Sequence, residues 1–214
     1  MTSEDAQTGD ARLPSLGPPD DLLAVARAAA RGDGDAAATL VAEVGGGMLR
    51  VVRKVMGHKH PDVDDVAQDA VLALLGSLES FRGASTVEHF ARRVALLTAL
   101  RARRRAKVRA RAAEAEGGAS AVDELPGDEL SPLATAVANR RRALVRRLLD
   151  ELPEVIAEAL ALHFILDHTV GEIAEASAVP ANTVWSRLRL GKQAVRRKLE
   201  ADARLAEMLR GTAR

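Results

Sequence analysis

The sequence contains no cysteine, and aromatic residues make up only 2% of its 214 positions. The absence of cysteine excludes disulfide bonds, thiolate metal sites and cysteine nucleophiles, and it fits a reducing compartment. No stretch approaches the ~20 consecutive apolar residues of a membrane span. The N-terminal stretch is acidic and rich in small residues and proline, without the basic region and apolar run of a signal peptide. These absences predict a cytoplasmic protein without membrane insertion.

The formal net charge is only +1, but the charges are separated along the chain. Nine cations and no acid lie from Arg92 to Arg111, whereas six acids and no base lie between Arg111 and Arg140. A basic block of this density favours a polyanionic partner over a merely solvated helix end. The acidic block is also rich in glycine and proline, so residues 113–130 are predicted to be a linker.

Alanine, leucine, arginine and glutamate dominate, and apolar residues recur at helical spacing, which predicts an all-α fold. We expect two small helical domains joined by the acidic flexible linker. The predicted order is a disordered N-terminal tail (1–19), a first domain (20–112), the linker (113–130) and a second domain that contains a helix-turn-helix (131–214). In the first domain, the three glycines at 45–47 are expected to interrupt a helix.

The stretch HKHPDVDDVAQD, residues 58–69, is dense enough in histidine and aspartate to suggest a metal site. Its apolar residues, however, fall on one face of an amphipathic helix that runs to Leu75, with Asp62 placed as the N-cap. The metal-binding pattern HxHxDH is broken because Val63 occupies the last histidine position. We interpret the stretch as a helix start and expect no metal and no cofactor. The sequence also has no Ser/His/Asp arrangement or glycine-rich phosphate loop, so an enzyme is not expected.

A long basic helix is predicted to follow. Ser85 and Glu88 have the spacing of a capping box, so the helix is expected to run from Thr86 to about Glu116. Its apolar stripe fades beyond Leu100, where arginines take over. The second half of this helix is therefore expected to project from the core.

The segment from Thr169 onwards predicts a helix-turn-helix. Thr169 and Glu172 form another capping box, and Pro180 opens the second helix after a short turn. A second helix of this kind enters the major groove of DNA. Trp185 is expected to be exposed on it, either contacting a base or thymine methyl group or lying against its own helix. An ordinary helical hairpin is the alternative. Further cations available for phosphates are Lys192, Arg196, Arg197 and Lys198.

With these parts in this order, residues 20–200 resemble the sigma factors of bacterial RNA polymerase, specifically the small extracytoplasmic-function (ECF) group. DVDDVAQDAVLALL (62–75) is similar to the polymerase-binding helix of the group, FRGASTVEHFARRVALLTALRARRR (81–105) to its minus-ten reader, and TVGEIAEASAVPANTVWSRLRLGK (169–192) to part of its minus-thirty-five reader. The resemblance implies a factor that binds core RNA polymerase at the β′ clamp helices and the β flap. It would direct the polymerase to double-stranded and partly melted promoter DNA, and an anti-sigma factor is a further implied partner.

The resemblance also assigns three groups of site residues. The core-polymerase-binding group is Asp62, Asp65, Gln68, Asp69 and Leu72. The minus-ten group is Phe90, Arg92, Arg93, Arg101, Arg103, Arg104, Arg105 and Lys107. The recognition-helix group is Asn182, Thr183, Trp185, Ser186, Arg187, Arg189 and Lys192.

The chain departs from the family pattern at positions that matter for opening DNA. Phe90 takes the place of a tryptophan and Arg92 the place of a tyrosine, although unstacked bases need aromatic surfaces on which to stack. Ala178 stands where the family has the glycine of the turn. Some strain is expected there, because glycine tolerates positive φ and alanine does not.

Three other functions remain open from the sequence. A free-standing helix-turn-helix regulator would explain residues 131–200 but would leave the helix at 62–75 without a role. A polymerase-binding adaptor unable to melt DNA would explain the scarcity of aromatic residues. A metal-dependent enzyme built on His58, His60 and Asp62 would require stoichiometric bound metal.

Overall fold

The computed structural model describes residues 19–83, 85–115 and 144–201, and every regular element within these ranges is helical. The all-α prediction is confirmed. Residues 1–18 of the predicted tail (1–19) and 116–130 of the predicted linker (113–130) lie outside the described residues. The predicted bounds are wrong at residue 19, which begins a helix, and at 113–115, which still belong to one. None of the described helices is long and apolar enough to cross a membrane. The α-helices are α1 (Pro19–Ala30), α2 (Gly34–Met56), α3 (Val63–Ser77), α4 (Val87–Ala115), α5 (residues 144–151), α6 (Glu154–Ile165), α7 (Val170–Ala176) and α8 (Ala181–Ala201).

Helix α2 runs unbroken through the three glycines at 45–47, so the predicted interruption is wrong. Its apolar residues form one long buried face against α4 and α1. Burial of that face outweighs the cost of about 1 kcal/mol that each glycine adds relative to alanine. The side chain of Asp33 caps the helix by accepting a hydrogen bond from the amide of Ala36 at 3.0 Å. The buried residues are Leu40, Val44, Met48, Val51, Val52, Val55 and Met56.

Helix α4 is the longest described helix and lies against both α2 and α3. Ala91, Ala95 and Ala99 recur every four residues on one face and are completely buried. Small residues at this spacing let the neighbouring helices approach closely. The first half of α4 therefore forms the centre of the first domain.

The start of α4 differs from the prediction by one residue. The hydroxyl of Thr86 accepts a hydrogen bond from the amide of His89 at 3.3 Å, so Thr86 is the capping residue. The predicted capping box between Ser85 and Glu88 is therefore wrong, and the Ser85 hydroxyl donates to the carbonyl of Thr86 instead. The two candidate capping residues are adjacent, and only the backbone path selects between them.

The second domain comprises α5 to α8, in which α6 and α7 pack against α8. Ile173, Val184 and Leu188 are buried and form the core of the helix-turn-helix. Helices α6 and α8 approach closely at Gly191, where an added β-carbon would lie 2.6 Å from Cδ1 of Leu160. This close approach fixes how the recognition helix α8 lies on α6.

Candidate nucleic-acid interface and polymerase-binding surface

The basic run of α4 divides into a covered set and an exposed set of side chains. The exposed cations are Arg101, Arg105, Arg109 and Arg111. Arg92 is half-buried beside α2, where its Nε would lie 3.4 Å from a β-carbon added at Gly47. The covered cations face the second domain. The second half of α4 thus carries exposed cations beyond the first-domain core, while one of its sides packs against the second domain.

Asp150 near the end of α5 binds two of the covered cations. The guanidinium of Arg103 donates both its Nε, at 3.0 Å, and its Nη2 to the Asp150 carboxylate. The ammonium of Lys107 donates to the carbonyl oxygen of the same residue at 3.0 Å. Burial lowers the pKa of Lys107, and the charge of Arg111 adds to that effect while Asp150 opposes it. A bidentate arginine–carboxylate pair of this kind is among the stronger polar contacts in proteins.

Two more α4 arginines meet the second domain. Arg104 lies 3.5 Å from the carboxylate of Glu154 at the start of α6. Arg93 donates to the backbone carbonyl of Ala176, the last residue of α7. Burial lowers the pKa of Arg93, whereas the charge of Glu158 raises it. Burial also raises the pKa of Glu158, with Glu154 adding to the shift.

Phe90 packs against Phe81, another aromatic side chain of the first domain, and the ring centroids are 4.8 Å apart. Both line a cavity of about 590 Å³ between the domains, together with His89, Arg93 and His168. Phe90 is half-buried, so one part of its ring remains available. The single aromatic side chain assigned to the minus-ten group is thus held in place by its neighbour.

The helix-turn-helix forms as its caps predict. Thr169 and Glu172 make both hydrogen bonds of the capping box at the start of α7. The Thr169 amide and hydroxyl both donate to the Glu172 carboxylate, and these two hydrogen bonds lower the pKa of that carboxyl. The turn then places Ala178 at φ +50°, the left-handed region that glycine favours. The sequence-based expectation of strain at this position is matched by the observed backbone.

The recognition helix presents its predicted side chains outward. Trp185 is 59% exposed, and Val184 and Leu188 on the opposite face are buried. Arg187 and Thr183 are half-buried. The remaining members of the recognition-helix group are all exposed: Asn182, Ser186, Arg189 and Lys192.

Helix α3 presents an acidic surface. Asp65, Gln68 and Asp69 are exposed, and Leu72 is 61% exposed one turn further along. Asp62 occupies the N-cap position but makes no side-chain cap hydrogen bond. Its amide instead donates to Nδ1 of His60 at 3.2 Å, which gives that histidine a role in the turn. Within the described ranges, no group of three or more potential metal ligands comes together.

An apolar groove on the second domain was not anticipated from the sequence. It has a volume of about 370 Å³ and lies between α5, α6 and α8. Phe164 is 56% exposed at its edge, with the ammonium of Lys192 5.4 Å from the ring centroid. The sequence feature that could have predicted the groove is the near-continuous apolar run of α6. Such a run surrounds the helix, so some of its residues must lie outside the core. Other lining residues are Leu148, Leu149, Leu152, Val195 and Leu199.

Comparison with known proteins matches the two halves of the chain separately. Residues 40–109 match the family model described as Sigma-70 region 2, and residues 142–195 match the model described as Sigma-70, region 4. The chain resembles the solved structure of CnrH in complex with the cytosolic domain of CnrY, with 22% identity and a TM-score of 0.52. That match covers 84% of this chain and 97% of the CnrH chain.

Proteins with similar sequences include several RNA polymerase sigma factors. The ECF RNA polymerase sigma-E factor of Escherichia coli K12 is 31% identical over 65% of this chain and 74% of its own length. RNA polymerase sigma-H factor of Pseudomonas aeruginosa is 29% identical over 72% of this chain and 84% of its own. ECF RNA polymerase sigma factor SigW of Bacillus subtilis is 24% identical over 79% and 91%. The chain therefore belongs to the extracytoplasmic-function group of RNA polymerase sigma factors, which direct transcription initiation.

Proposed function

We propose that this sigma factor uses four surfaces: α3 and the apolar groove of the second domain for core polymerase, α4 for the minus-ten element and α8 for the minus-thirty-five element. The observation that carries the proposal is that one chain combines an exposed acidic helix with a capped helix-turn-helix whose second helix presents polar and cationic side chains. A free-standing regulator would have no use for the acidic helix. The factor would supply binding surfaces and no catalytic residue of its own.

The α3 surface suits a basic or polar helical partner such as the β′ clamp helices. Asp65 and Asp69 lie one helical turn apart, and exposed Leu72 extends the same side of the helix. Charged side chains that surround an exposed apolar residue are typical of a docking surface with a defined register. Asp65, Gln68, Asp69 and Leu72 are the residues proposed to contact the polymerase.

The apolar groove of the second domain is the proposed site for the β flap. Its walls are almost entirely aliphatic, and exposed Phe164 lies at its edge. An amphipathic helix lays its apolar face into a groove of this kind. Asn182, Trp185 and Arg189 are not among the lining residues, so a helix bound in the groove would leave these three side chains free for DNA.

DNA recognition is proposed for α4 and α8. Affinity would come largely from phosphate contacts of the arginines and would fall with salt. Sequence selection would come from exposed Trp185, Asn182 and Arg189 in the major groove. An anti-sigma protein is a further proposed partner, as CnrH was solved with the cytosolic domain of CnrY. We place the factor in the cytoplasm with the polymerase.

Transcription in vitro tests the proposal directly. Purified core polymerase and this protein would be combined on fragmented genomic DNA from the source of the chain, and the 5′ ends of the transcripts would be mapped. Discrete ends that share upstream elements at two fixed distances are expected. A stable complex with core polymerase that gives no protein-dependent ends would contradict promoter opening by this factor.

A matched pair of variants tests the α3 surface. Asp69→Arg reverses a charge on the proposed docking surface and should weaken binding to core polymerase by more than tenfold, because a like-charge contact is introduced. Glu79→Arg makes the same change in charge at an exposed position outside α3. Equal effects of the two substitutions would show that net charge, and not the α3 surface, controls binding.

A further inference from the structure

The contacts between the domains involve the side chains that are proposed to bind promoter DNA. Arg103 is only 12% exposed because it is held by the carboxylate of Asp150, and the side chain of Asp150 is itself 17% exposed. Arg104 reaches Glu154 in the next helix of the same domain. These carboxylates provide for the arginines what a DNA phosphate provides, namely anionic oxygens that accept charge-assisted hydrogen bonds.

A second kind of contact joins the domains through backbone oxygens at helix ends. Arg93 donates to the carbonyl of Ala176, the last residue of α7, and Lys107 donates to that of Asp150 near the end of α5. Lys54 lies 3.4 Å from the carbonyl of Ile165, the last residue of α6. The carbonyls of a last helical turn lack intrahelical partners and carry the negative end of the helix dipole. Cations of the first domain thus bind the C-terminal ends of three helices in the second.

These contacts and DNA binding exclude one another at the same atoms. The Nε and Nη2 donors of Arg103 that bind Asp150 are occupied, and the side chain is only 12% exposed, so its remaining donors are largely covered from a phosphate in the closed chain. The exposed arginines of α4 stay available, so the closed chain would bind DNA weakly through part of its basic surface. Full engagement would require the domains to separate.

We propose that Asp150, with Glu154, acts as an intramolecular phosphate mimic that holds the free protein closed and competes with promoter DNA for the α4 arginines. The two carboxylates bind α4 of the same chain. Separation of the domains on the polymerase would free both the carboxylates and the α4 arginines. This inference rests on the proposed DNA-binding role of α4. The closed state itself, however, can be measured without DNA or polymerase.

The first measurement is the distance between the domains in the full chain. Because the chain has no cysteine, a donor and an acceptor dye can be placed at two introduced cysteines. Arg31→Cys in the first domain and Gln193→Cys in the second are exposed positions. Asp150→Asn preserves the shape of the side chain and removes its charge, and it should lower the energy transfer. Addition of core polymerase to the unsubstituted labelled chain should lower it as well.

The second measurement is the affinity for a labelled mixed-sequence DNA duplex at fixed salt. Asp150→Asn should raise it by about tenfold, equivalent to about 1.4 kcal/mol. Glu43→Gln is the matched control, because it changes net charge equally at an exposed position on α2, away from the proposed DNA-binding helices. Equal gains in the two variants, with unchanged energy transfer, would overturn the proposal.

A charge-exchange variant distinguishes the proposed closing contact between Arg103 and Asp150 from the wider proposed function. Arg103→Asp combined with Asp150→Arg should restore energy transfer to the level of the unsubstituted chain, although DNA affinity stays low because α4 has lost a cation. If Asp150→Asn opens the domains but the protein directs no transcription, the proposed function fails and the closed state stands. If transcription proceeds while neither variant changes the energy transfer, the proposed closing contact is refuted and the proposed function stands.

Discussion

The imidazole rings of His89 and His168 stack across the domain interface, with centroids 5.1 Å apart and ring planes inclined by 25°. His168 is 4% exposed, and neither of its ring nitrogens has a hydrogen-bond partner among the described residues. Burial lowers the pKa of His168, and the neighbouring His89 and Arg93 lower it further, whereas Glu172 and Asp167 oppose the shift. A proton on the ring of His168 would therefore weaken the contact between the domains.

The stability of the closed chain should depend on pH below neutrality. A histidine with a lowered pKa binds fewer protons in the folded than in the unfolded chain, so its contribution is fully present above an unfolded pKa of about 6.5. The free energy of unfolding should fall as pH decreases from there towards the lowered pKa of His168. Denaturant titrations across this range measure the effect. His168→Gln should flatten the dependence, and His58→Gln at an exposed loop position should leave it unchanged.

Gly191→Ala should destabilise the second domain by roughly 1–3 kcal/mol, the usual cost of overpacking. The new β-carbon would lie 2.6 Å from Leu160 Cδ1 and 3.0 Å from Ile156 Cγ2. Gly76→Ala is the matched control, because it is also helical but has open space around it. That control should gain up to about 1 kcal/mol of stability from helix propensity. Thermal unfolding of both variants would show opposite shifts of the melting temperature if the close packing at Gly191 is correct.

Ala178→Gly should stabilise the helix-turn-helix by up to about 1 kcal/mol. The backbone at Ala178 has φ +50°, which costs roughly 1–2 kcal/mol for a residue with a β-carbon, and the greater entropy of unfolded glycine offsets part of the relief. Ala194→Gly within α8 should cost about 1 kcal/mol instead. A loss of stability in both variants, measured by denaturant titration, would contradict the strained turn.

Trp185→Ala should separate DNA recognition from folding. Since Trp185 is 59% exposed, the free energy of unfolding should change by less than about 0.5 kcal/mol. Affinity for a minus-thirty-five duplex should fall roughly tenfold, because a specific base contact contributes about 1–3 kcal/mol. Arg197→Ala on the same helix should instead weaken binding to all sequences alike and reduce the salt slope by about one. A uniform loss with Trp185→Ala would assign it to the backbone and not to a base.

Local signals in the sequence were enough to predict the helix-turn-helix. The capping box at Thr169 and Glu172, the exposed Trp185 and the strained Ala178 all follow from residues within a few positions of one another. The glycines at 45–47 misled because helix propensity is a local preference of about 1 kcal/mol, whereas burial of a seven-residue face is a tertiary effect. Arg103 and Asp150 lie 47 positions apart, and no local pattern predicts that they meet.

The cations that bind the ends of α5, α6 and α7 have a consequence for how this interface can change during evolution. A main-chain oxygen is present whatever side chain the residue carries, so Ala176 and Ile165 can be replaced by most other residues without loss of the acceptor. The sequences of the two domains can therefore change at these acceptor positions while the contacts persist. Paired substitutions across the interface should be found at Arg103 and Asp150 and should be absent at Arg93 and Ala176.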